Sequence, residues 1–312
     1  MNRRHFLETI AMAPMVLSSS AAGAASPTGT HEQREMLRRK IPAAADGESV
    51  PVIGMGTWNT FDVGGGVPER EPLKRVLEVF YESGARLIDS SPMYANAESV
   101  TGDLVQKLGK QASTFYATKV WTSGRDKGIA QIEHSLRAMK TPRLDLLQIH
   151  NLVDWRTHAA TLRQLKSDGK IRFAGVTHYT VGAHSEIEAV LRAERFEFAQ
   201  FNYSIGTRAA EQRLLPYCQD HGIGVLINRP FEEGGLFTRV GNRKLPGYAK
   251  EIGCTSWAQV FLKYIVSHPA VTCVIPATSR PEHMQDNLQA GFAPVPDAAM
   301  RERMAKDFDS SK

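Results

Sequence analysis

Short apolar runs alternate with longer amphipathic stretches along most of the chain. Continuous apolar runs predict strands that are buried on both faces, as in a parallel sheet. Eight runs have this character: Val52–Thr57, Arg86–Ser90, Thr114–Val120, Leu144–His150, Ile171–Thr177, Phe196–Asn202, Ile223–Asn228 and Val271–Pro276.

The stretches between the runs predict helices with one apolar face, because their apolar residues recur three or four positions apart. Examples are the sets Leu73, Val76, Leu77 and Phe80, then Ile129, Ile132, Leu136 and Met139, then Trp257, Val260, Phe261 and Tyr264. Gly84, Gly109, Gly169 and Gly222 follow helix-like stretches, where a left-handed residue ends the helix. This repeating order predicts an α/β fold, a single-domain (β/α)₈ TIM barrel.

A doubly wound parallel sheet is the rival architecture. Such a sheet would carry a glycine-rich dinucleotide fingerprint after its first strand, but Gly54-Met55-Gly56 lacks the third glycine at the required spacing. Before the first run, residues 40–52 predict an N-terminal β-hairpin with Asp46-Gly47 as its turn.

Titratable side chains lie at or just past the ends of three successive runs. Asp89 and His150 are near the ends of the second and fourth runs, Lys119 is near the end of the third, and Tyr94 follows Asp89 in a loop. The carboxyl ends of barrel strands are where this fold places its chemistry.

These four residue types suit the reduction of a carbonyl group. A ketone or aldehyde that accepts hydride needs a proton donor at its oxygen, and a tyrosine hydroxyl has an ordinary pKa of about 10. A neighbouring lysine ammonium is expected to lower that pKa, an aspartate to hold the lysine charged, and a histidine to donate a second hydrogen bond. Singly, each residue has an ordinary structural interpretation; the ordered set of four is specific.

With this set, the chain resembles the aldo-keto reductase family, as a bacterial member exported by a twin-arginine signal. The resemblance runs from about residue 41 to about residue 290 and includes Leu87-Ile88-Asp89-Ser90-Ser91, Ala117-Thr118-Lys119-Val120 and Leu147-Gln148-Ile149-His150-Asn151. It implies that Tyr94 is the general acid, assisted by Lys119, Asp89 and His150, and that the cofactor is a nicotinamide dinucleotide.

The resemblance also implies a set of cofactor-binding residues. Thr177, His178 and Gln200 would hold the nicotinamide carboxamide, with His178 a departure from the usual asparagine. Arg229 stands where an aromatic ring usually stacks on the nicotinamide. The expected set is Gly56, Thr57, Thr177, His178, Gln200, Arg229, Phe231, Gly234, Leu236, Thr278, Ser279, Arg280, His283 and Asn287.

NADP(H) is favoured over NAD(H) on the resemblance. The family's usual lysine and arginine contacts to the 2′-phosphate are replaced here by Ala277 and His283. Arg280 is the remaining strong phosphate partner, beside a helix N-terminus that suits an anion.

Large side chains that follow the strands would form the mouth of a substrate pocket. Trp58, Met93, Trp121, Asn151 and Trp155 are the candidates, and their apolar character suits an aromatic or apolar carbonyl compound. No metal site is expected. The histidines His134, His158 and His184 are interpreted as surface residues.

The chain has 312 residues and a formal net charge of +5, with lysine and arginine scattered along it, so nucleic-acid binding is not expected. Residues 1–24 read as a twin-arginine signal peptide, with Arg3-Arg4, an apolar stretch and Ala22-Gly23-Ala24. The apolar stretch is shorter than the roughly 20 residues that span a bilayer, so no stable membrane insertion is expected. Residues 25–39 are expected to be a linker and residues 40–312 the reductase barrel. The expected location is the periplasm, reached through the twin-arginine export machinery.

Two functions follow from the sequence. The first is an NADP(H)-dependent oxidoreductase that converts a small-molecule aldehyde or ketone to an alcohol. The alternative is a cofactor-binding sensor or partner subunit with little turnover.

Overall fold

The structure, a computed structural model, describes residues 35–310. The predicted signal peptide and residues 25–34 of the predicted linker lie outside the described residues. The strands are β1 Arg38–Lys40, β2 Ser49–Pro51, β3 Met55–Gly56, β4 Leu87–Asp89, β5 Phe115–Val120, β6 Leu144–His150, β7 Ile171–Thr177, β8 Phe198–Asn202, β9 Gly224–Asn228 and β10 Cys273–Val274.

The helices alternate with the strands from β3 onward. They are α1 Val67–Glu82, α2 Ala97–Lys107, α3 Arg125–Ala138, α4 Trp155–Ser167, α5 His184–Ala193, α6 Leu214–Asp220, α7 Gly235–Val240, α8 Tyr248–Glu251, α9 Trp257–Val266, α10 Pro281–Gln289 and α11 Ala298–Asp309. None of the helices in residues 35–310 is long and apolar enough to cross a membrane.

Strands β3 to β10 form one parallel sheet whose neighbours follow chain order. The two ends of this sheet meet, because Ile53 bridges Val274 and Gly56 bridges Ala277, both in parallel. The Gly54 N–H donates to the Val274 carbonyl at 2.9 Å across this junction. The (β/α)₈ barrel is therefore confirmed, and the doubly wound sheet is not formed.

The N-terminal hairpin is also present. Strand β1 pairs antiparallel with β2, with Arg38 opposite Pro51, so the hairpin begins two residues before the expected boundary at Lys40. Ile41 and Val50 are buried against barrel residues that include Phe115. The hairpin therefore covers the N-terminal end of the barrel with apolar side chains.

The barrel interior changes character along its axis. A cluster of apolar residues fills the end near the hairpin: Leu87, Phe115, Ala117, Leu146, Phe173, Phe198, Leu226, Cys273 and Ile275. Two positions further along the same strands, side chains on the same face are polar, as in the pairs Leu87 and Asp89, and Ala117 and Lys119. Because strand side chains alternate between faces, this spacing puts both kinds of residue inside the barrel.

The left-handed helix ends predicted from glycine are confirmed: Gly84, Gly109, Gly169 and Gly222 have φ values of 82°, 65°, 70° and 64°. The expectation that His158 is a surface residue is wrong. Its side chain is fully buried, and Nε2 lies 2.7 Å from the Thr122 carbonyl. A Cβ on Gly128 would lie 2.5 Å from the imidazole ring, so this glycine makes the space for it.

Candidate active site

A buried ion pair stands at the polar end of the barrel. Lys119 Nζ on β5 lies 2.5 Å from Asp89 Oδ2 at the end of β4, and both side chains are almost fully buried. Lys119 also donates to the Ser90 carbonyl at 2.6 Å. The lysine that the sequence places inside a strand is thus held by an adjacent strand.

The second carboxylate oxygen of Asp89 is occupied by two amides. Gln148 Nε2 on β6 donates to Oδ1 at 3.1 Å, and Gln200 Nε2 on β8 donates at 2.9 Å. A buried ion pair is stable only when its remaining hydrogen-bonding capacity is satisfied. Asp89 is therefore fixed by residues from three other strands, counting Lys119.

The pair controls the charge of Lys119. Burial alone would lower the pKa of the ammonium, but the negative charge of Asp89 and the hydrogen bond to it, with the ionised forms of Tyr94 and Glu98, outweigh burial and raise that pKa. Lys119 is therefore a fixed positive charge at neutral pH.

Tyr94 lies in the loop between β4 and α2, over this charge. Lys119 Nζ is 5.2 Å from the centroid of its ring. Burial raises the pKa of the Tyr94 hydroxyl, and the charge of Lys119 opposes the rise without cancelling it. The sequence leads to the opposite expectation, a lowered pKa, because it shows the lysine and not the extent of burial. Tyr94 is thus a neutral phenol near neutral pH.

His150 at the end of β6 completes the group. Its ring meets Tyr94 edge to face, with centroids 6.0 Å apart and planes at 87°. Burial, reinforced by the charge of Lys119, lowers the pKa of His150 to about 3. A neutral imidazole and a neutral phenol beside an ammonium can both donate hydrogen bonds to one oxygen atom. The structure brings together all four residues predicted to be catalytic.

The residues expected near the carboxamide form a second network. Thr177 Oγ1 donates to Gln200 Oε1 at 3.1 Å, and Asn228 Nδ2 lies 3.4 Å from the same oxygen. Thr57 is buried, and its hydroxyl oxygen lies 3.1 Å from the Asp89 carbonyl oxygen and 2.9 Å from the Ser90 hydroxyl oxygen. Gln200 therefore joins the expected cofactor side to the Asp89–Lys119 pair.

His178 is held in one orientation. Its Nδ1 accepts from the backbone N–H groups of Tyr179 and Thr180 at 3.0 and 3.2 Å, which leaves Nε2 as its donor. The His178 and Tyr179 rings are stacked, with centroids 5.3 Å apart. His178 therefore keeps one N–H group that could donate a hydrogen bond to a carboxamide oxygen.

Arg229, at the usual stacking position, is engaged by its neighbours. Its guanidinium pairs with Glu233 at 3.0 Å and lies 5.5 Å from the centroid of the Tyr179 ring. Arg229, Glu232 and Glu233 all have positive φ, near 50°, which non-glycine residues seldom adopt. Glu232 Oε1 accepts from Thr207 Oγ1 at 2.7 Å and ties this loop to the neighbouring one.

The rest of the predicted loop is built around Phe231. Its ring lies 5.1 Å from that of Phe237, Leu236 is buried, and Gly234 has φ 95°. The glycine supplies a left-handed turn at the start of α7.

The last group of predicted cofactor-binding residues lies just before α10 and on α10 itself. Thr278 Oγ1 accepts from the Arg280 N–H at 3.1 Å, and Asn287 is buried on the same helix. Ser279 and His283 are exposed. The Arg280 guanidinium pairs with Glu282 at 2.5 Å, and both side chains are largely exposed. The sequence does not reveal that Glu282 competes with a cofactor phosphate for the Arg280 guanidinium.

Three of the predicted substrate-binding residues have exposed side chains. Trp58, Met93 and Trp121 have exposed fractions of 42, 38 and 42%, and Trp121 lies 6.3 Å from the His150 ring. Asn151 has φ 51°. Trp155 instead packs partly against the core and against Arg156.

Sequence reasoning missed Gln148, Ser91, Asn228 and Glu98. Gln148 was detectable, because it lies two positions before His150 and so shares its inward face. Glu98 is buried on α2, where it accepts from Thr118 and Ser135 and burial raises its pKa. Among the described residues, no group of histidine, cysteine and acidic side chains could hold a metal ion.

The residues present fit a nicotinamide dinucleotide. Asn228 Oδ1 is buried beside Gln200 and has no partner among the described residues, so it can accept from an amide N–H. Thr278, Ser279 and Arg280 precede the N-terminus of α10, where backbone dipoles favour an anion such as phosphate. The donor set thus suits an amide at one end and a phosphate at the other.

The chain belongs to the aldo/keto reductase family, whose profile matches residues 52–306. It is 30% identical over 261 residues to the methylglyoxal reductase YeaE of Escherichia coli, an alignment that covers 80% of this chain and 89% of that protein. An NADH-specific methylglyoxal reductase of E. coli is 29% identical over 246 residues, covering 68% of this chain and 73% of that enzyme. An aldo/keto reductase from Klebsiella pneumoniae, solved with NADP and acetate, superposes with a TM-score of 0.71 at 25% identity, over 84% of this chain and 93% of that one.

Replacing Asp89 tests the buried pair. In Asp89→Asn the Lys119 charge loses its partner, and we expect the free energy of unfolding at pH 7 to fall by about 3–5 kcal/mol. In the wild type, the stabilisation of the folded state by the Asp89–Lys119 pair is lost only as the pH rises through the raised pKa of Lys119. In the variant, burial is left to lower that pKa, so the deficit should shrink towards about pH 9.5 as neutral lysine forms.

Urea unfolding at pH 7 and at about pH 9.5 measures the free energy of unfolding of the wild type and of Asp89→Asn. Asp103→Asn is the matched control, since Asp103 pairs with Arg70 and Lys140 at 2.6 and 2.7 Å while partly exposed. It should cost at most about 1 kcal/mol. Equal losses in the two variants would contradict the assignment.

Proposed function

We propose that this protein is an NADP(H)-dependent oxidoreductase that reduces aldehydes or ketones to alcohols. The observation that carries the proposal is the placement of the Tyr94 ring 5.2 Å from the ammonium of the buried Asp89–Lys119 pair and edge to face with the His150 ring. Its membership of the aldo/keto reductase family supports it.

The residues of this chain would handle the proton. Tyr94 donates its hydroxyl proton to the carbonyl oxygen of the substrate and becomes a phenolate, which the Lys119 ammonium stabilises. Asp89 keeps Lys119 charged and in place, and His150 donates a second hydrogen bond to the same oxygen. The raised pKa of Tyr94 keeps the acid protonated before the reaction, and the fixed ammonium lowers the cost of losing that proton.

The cofactor, when bound, supplies the hydride that reduces the carbonyl carbon. Thr177, His178, Gln200 and the neighbouring Asn228 would hold its carboxamide end. The loop after β9 would lie along its pyrophosphate, and the start of α10 would bind its phosphate on the adenosine side.

The mouth favours a carbonyl compound with an apolar group. Trp58, Met93 and Trp121 offer exposed apolar surface, and the Trp121 ring lies 6.3 Å from that of His150. Such a surface suits an aromatic or apolar carbonyl compound. Two relatives are named for methylglyoxal, so small dicarbonyls belong in the same substrate panel.

Tyr94→Phe removes the proposed acid while keeping the ring. We expect kcat for an activated benzaldehyde to fall by roughly 10²–10⁴-fold, the effect of losing a general acid. The loss of NADPH absorbance follows turnover, and quenching of tryptophan fluorescence should show unchanged cofactor binding.

Tyr116→Phe is the control, because Tyr116 is also a buried tyrosine but lies on β5 outside the set of predicted site residues. It should leave turnover near wild type. A Tyr94→Phe enzyme as active as this control would rule out Tyr94 as the acid.

We propose a preference for NADP(H) because Arg280 is a strong partner for a 2′-phosphate at the start of α10. The NADP complexes of structural relatives support this preference. Glu282 weakens the preference because it pairs with Arg280 and would repel a phosphate. The NADH-specific relative shows that both cofactors occur among similar enzymes.

Binding of NADPH and NADH, measured by fluorescence quenching, tests this preference. Arg280→Ala should remove most of the NADPH advantage, about 1.5–3 kcal/mol for a charge-assisted contact, and leave NADH nearly unchanged. Glu282→Gln should tighten NADPH binding alone. Arg303→Ala, which removes an arginine from another exposed ion pair, is the control. Equal affinities for the two cofactors in the wild type would refute the NADP preference.

The alternative, a cofactor-binding sensor or partner subunit, uses the same pocket without turnover. Tight cofactor retention with only a slow single turnover across a broad carbonyl panel would favour it. The complete set of Asp89, Tyr94, Lys119 and His150 favours the enzyme.

Export by the twin-arginine machinery to the periplasm is also proposed, on the sequence of residues 1–24 alone. Replacing Arg3 and Arg4 together by lysine should keep the protein in the cytoplasm and leave the activity of the purified enzyme unchanged. Periplasmic fractionation measures this, and normal export of the double variant would remove the proposal.

A further inference from the structure

Ser91 contacts both of the predicted proton donors. Its hydroxyl oxygen lies 3.1 Å from His150 Nδ1, and its side chain is fully buried. The same oxygen accepts from the Met93 N–H at 3.3 Å, and the Ser91 carbonyl accepts from the Tyr94 N–H at 3.0 Å. One residue therefore joins the loop that carries Tyr94 to the imidazole on β6.

The direction of the Ser91–His150 hydrogen bond decides which imidazole nitrogen carries the proton. His150 is neutral, so only one nitrogen is an N–H donor. Within residues 35–310 the Ser91 hydroxyl contacts no acceptor other than Nδ1. If Nδ1 carried the proton, the Ser91 hydroxyl hydrogen would be buried without a partner, which costs free energy.

The other ring nitrogen of His150 is Nε2. Among the described residues Nε2 makes no hydrogen bond, and it does not belong to the buried polar atoms that lack partners. It is therefore accessible to a ligand. A neutral histidine can assist a carbonyl oxygen through Nε2 only when that nitrogen holds the proton.

We propose that Ser91 is a positioning residue that donates its hydroxyl to Nδ1 and thereby fixes His150 as the Nε2–H tautomer. The proposal rests on the reductase function proposed above. Through its carbonyl and its hydroxyl oxygen, Ser91 also keeps the Tyr94 loop in register with His150. Both hydrogen-bond donors to the substrate oxygen are thus set by one serine.

Long-range ¹H–¹⁵N NMR spectra of the protein without substrate report the tautomer directly, because protonated and unprotonated ring nitrogens resonate far apart. We expect the wild-type His150 to have a protonated Nε2 and an unprotonated Nδ1. Ser91→Ala should mix or reverse the tautomers and lower kcat about three- to tenfold, the effect of one lost hydrogen bond, with a smaller change in KM. Ser91→Thr keeps the hydroxyl and should restore the wild-type tautomer.

Ser99→Ala is the control, since Ser99 lies on α2, where its hydroxyl donates to the Asn96 carbonyl at 2.8 Å. It should change neither tautomer nor turnover. A proton on Nδ1 in the wild-type protein, or an unchanged tautomer in Ser91→Ala, would overturn the proposal. If Ser91→Ala does not fold, a proton on Nδ1 in the wild-type spectrum or in that of Ser91→Thr would still overturn the proposal. Failure of the wild type to reduce any carbonyl would reject the proposed function and leave the tautomer result standing.

Discussion

The polar end of this barrel depends on the charge pair between Asp89 and Lys119. A lysine inside a strand would ordinarily lose its proton or unfold the sheet, since burial opposes its charge. Here one carboxylate oxygen takes the ammonium and the other takes the amides of Gln148 and Gln200, so four strands contribute to a single ionic centre. Burial raises the pKa of the nearby Tyr94 phenol and keeps it neutral against this charge, whereas burial and the charge together lower the pKa of His150 and keep its imidazole neutral.

The pair is compatible with a stable fold because it stands above an apolar layer. On the inward faces of neighbouring strands, Leu87, Ala117 and Leu146 come two residues before Asp89, Lys119 and Gln148. The hairpin covers the apolar end with Ile41 and Val50, while Nε2 of His150 at the polar end stays accessible. The apolar packing layer and the polar site thus lie at different heights along the same barrel strands.

The sequence was sufficient for the fold because the barrel strands are largely buried runs and helices such as α1 bury one apolar face. It was also sufficient for the four central residues, which lie near strand ends. It was insufficient where a contact depends on residues without a pattern. The burial of His158 depends on the space that Gly128 leaves, and the pairing of Arg280 with Glu282 depends on side-chain directions before α10. The pKa of Tyr94 was misjudged because burial is a property of the folded chain.

Closure of the barrel has a consequence for how the chain matures. The first strand meets the last through Ile53 with Val274 and Gly56 with Ala277, so contacts between distant parts of the chain complete both the sheet and the predicted cofactor groove. A chain still emerging from the ribosome cannot form them, and such non-local closure is slow compared with local helix formation. No N-terminal fragment can assemble the groove, and synthesis must be nearly complete before a dinucleotide has anywhere to bind.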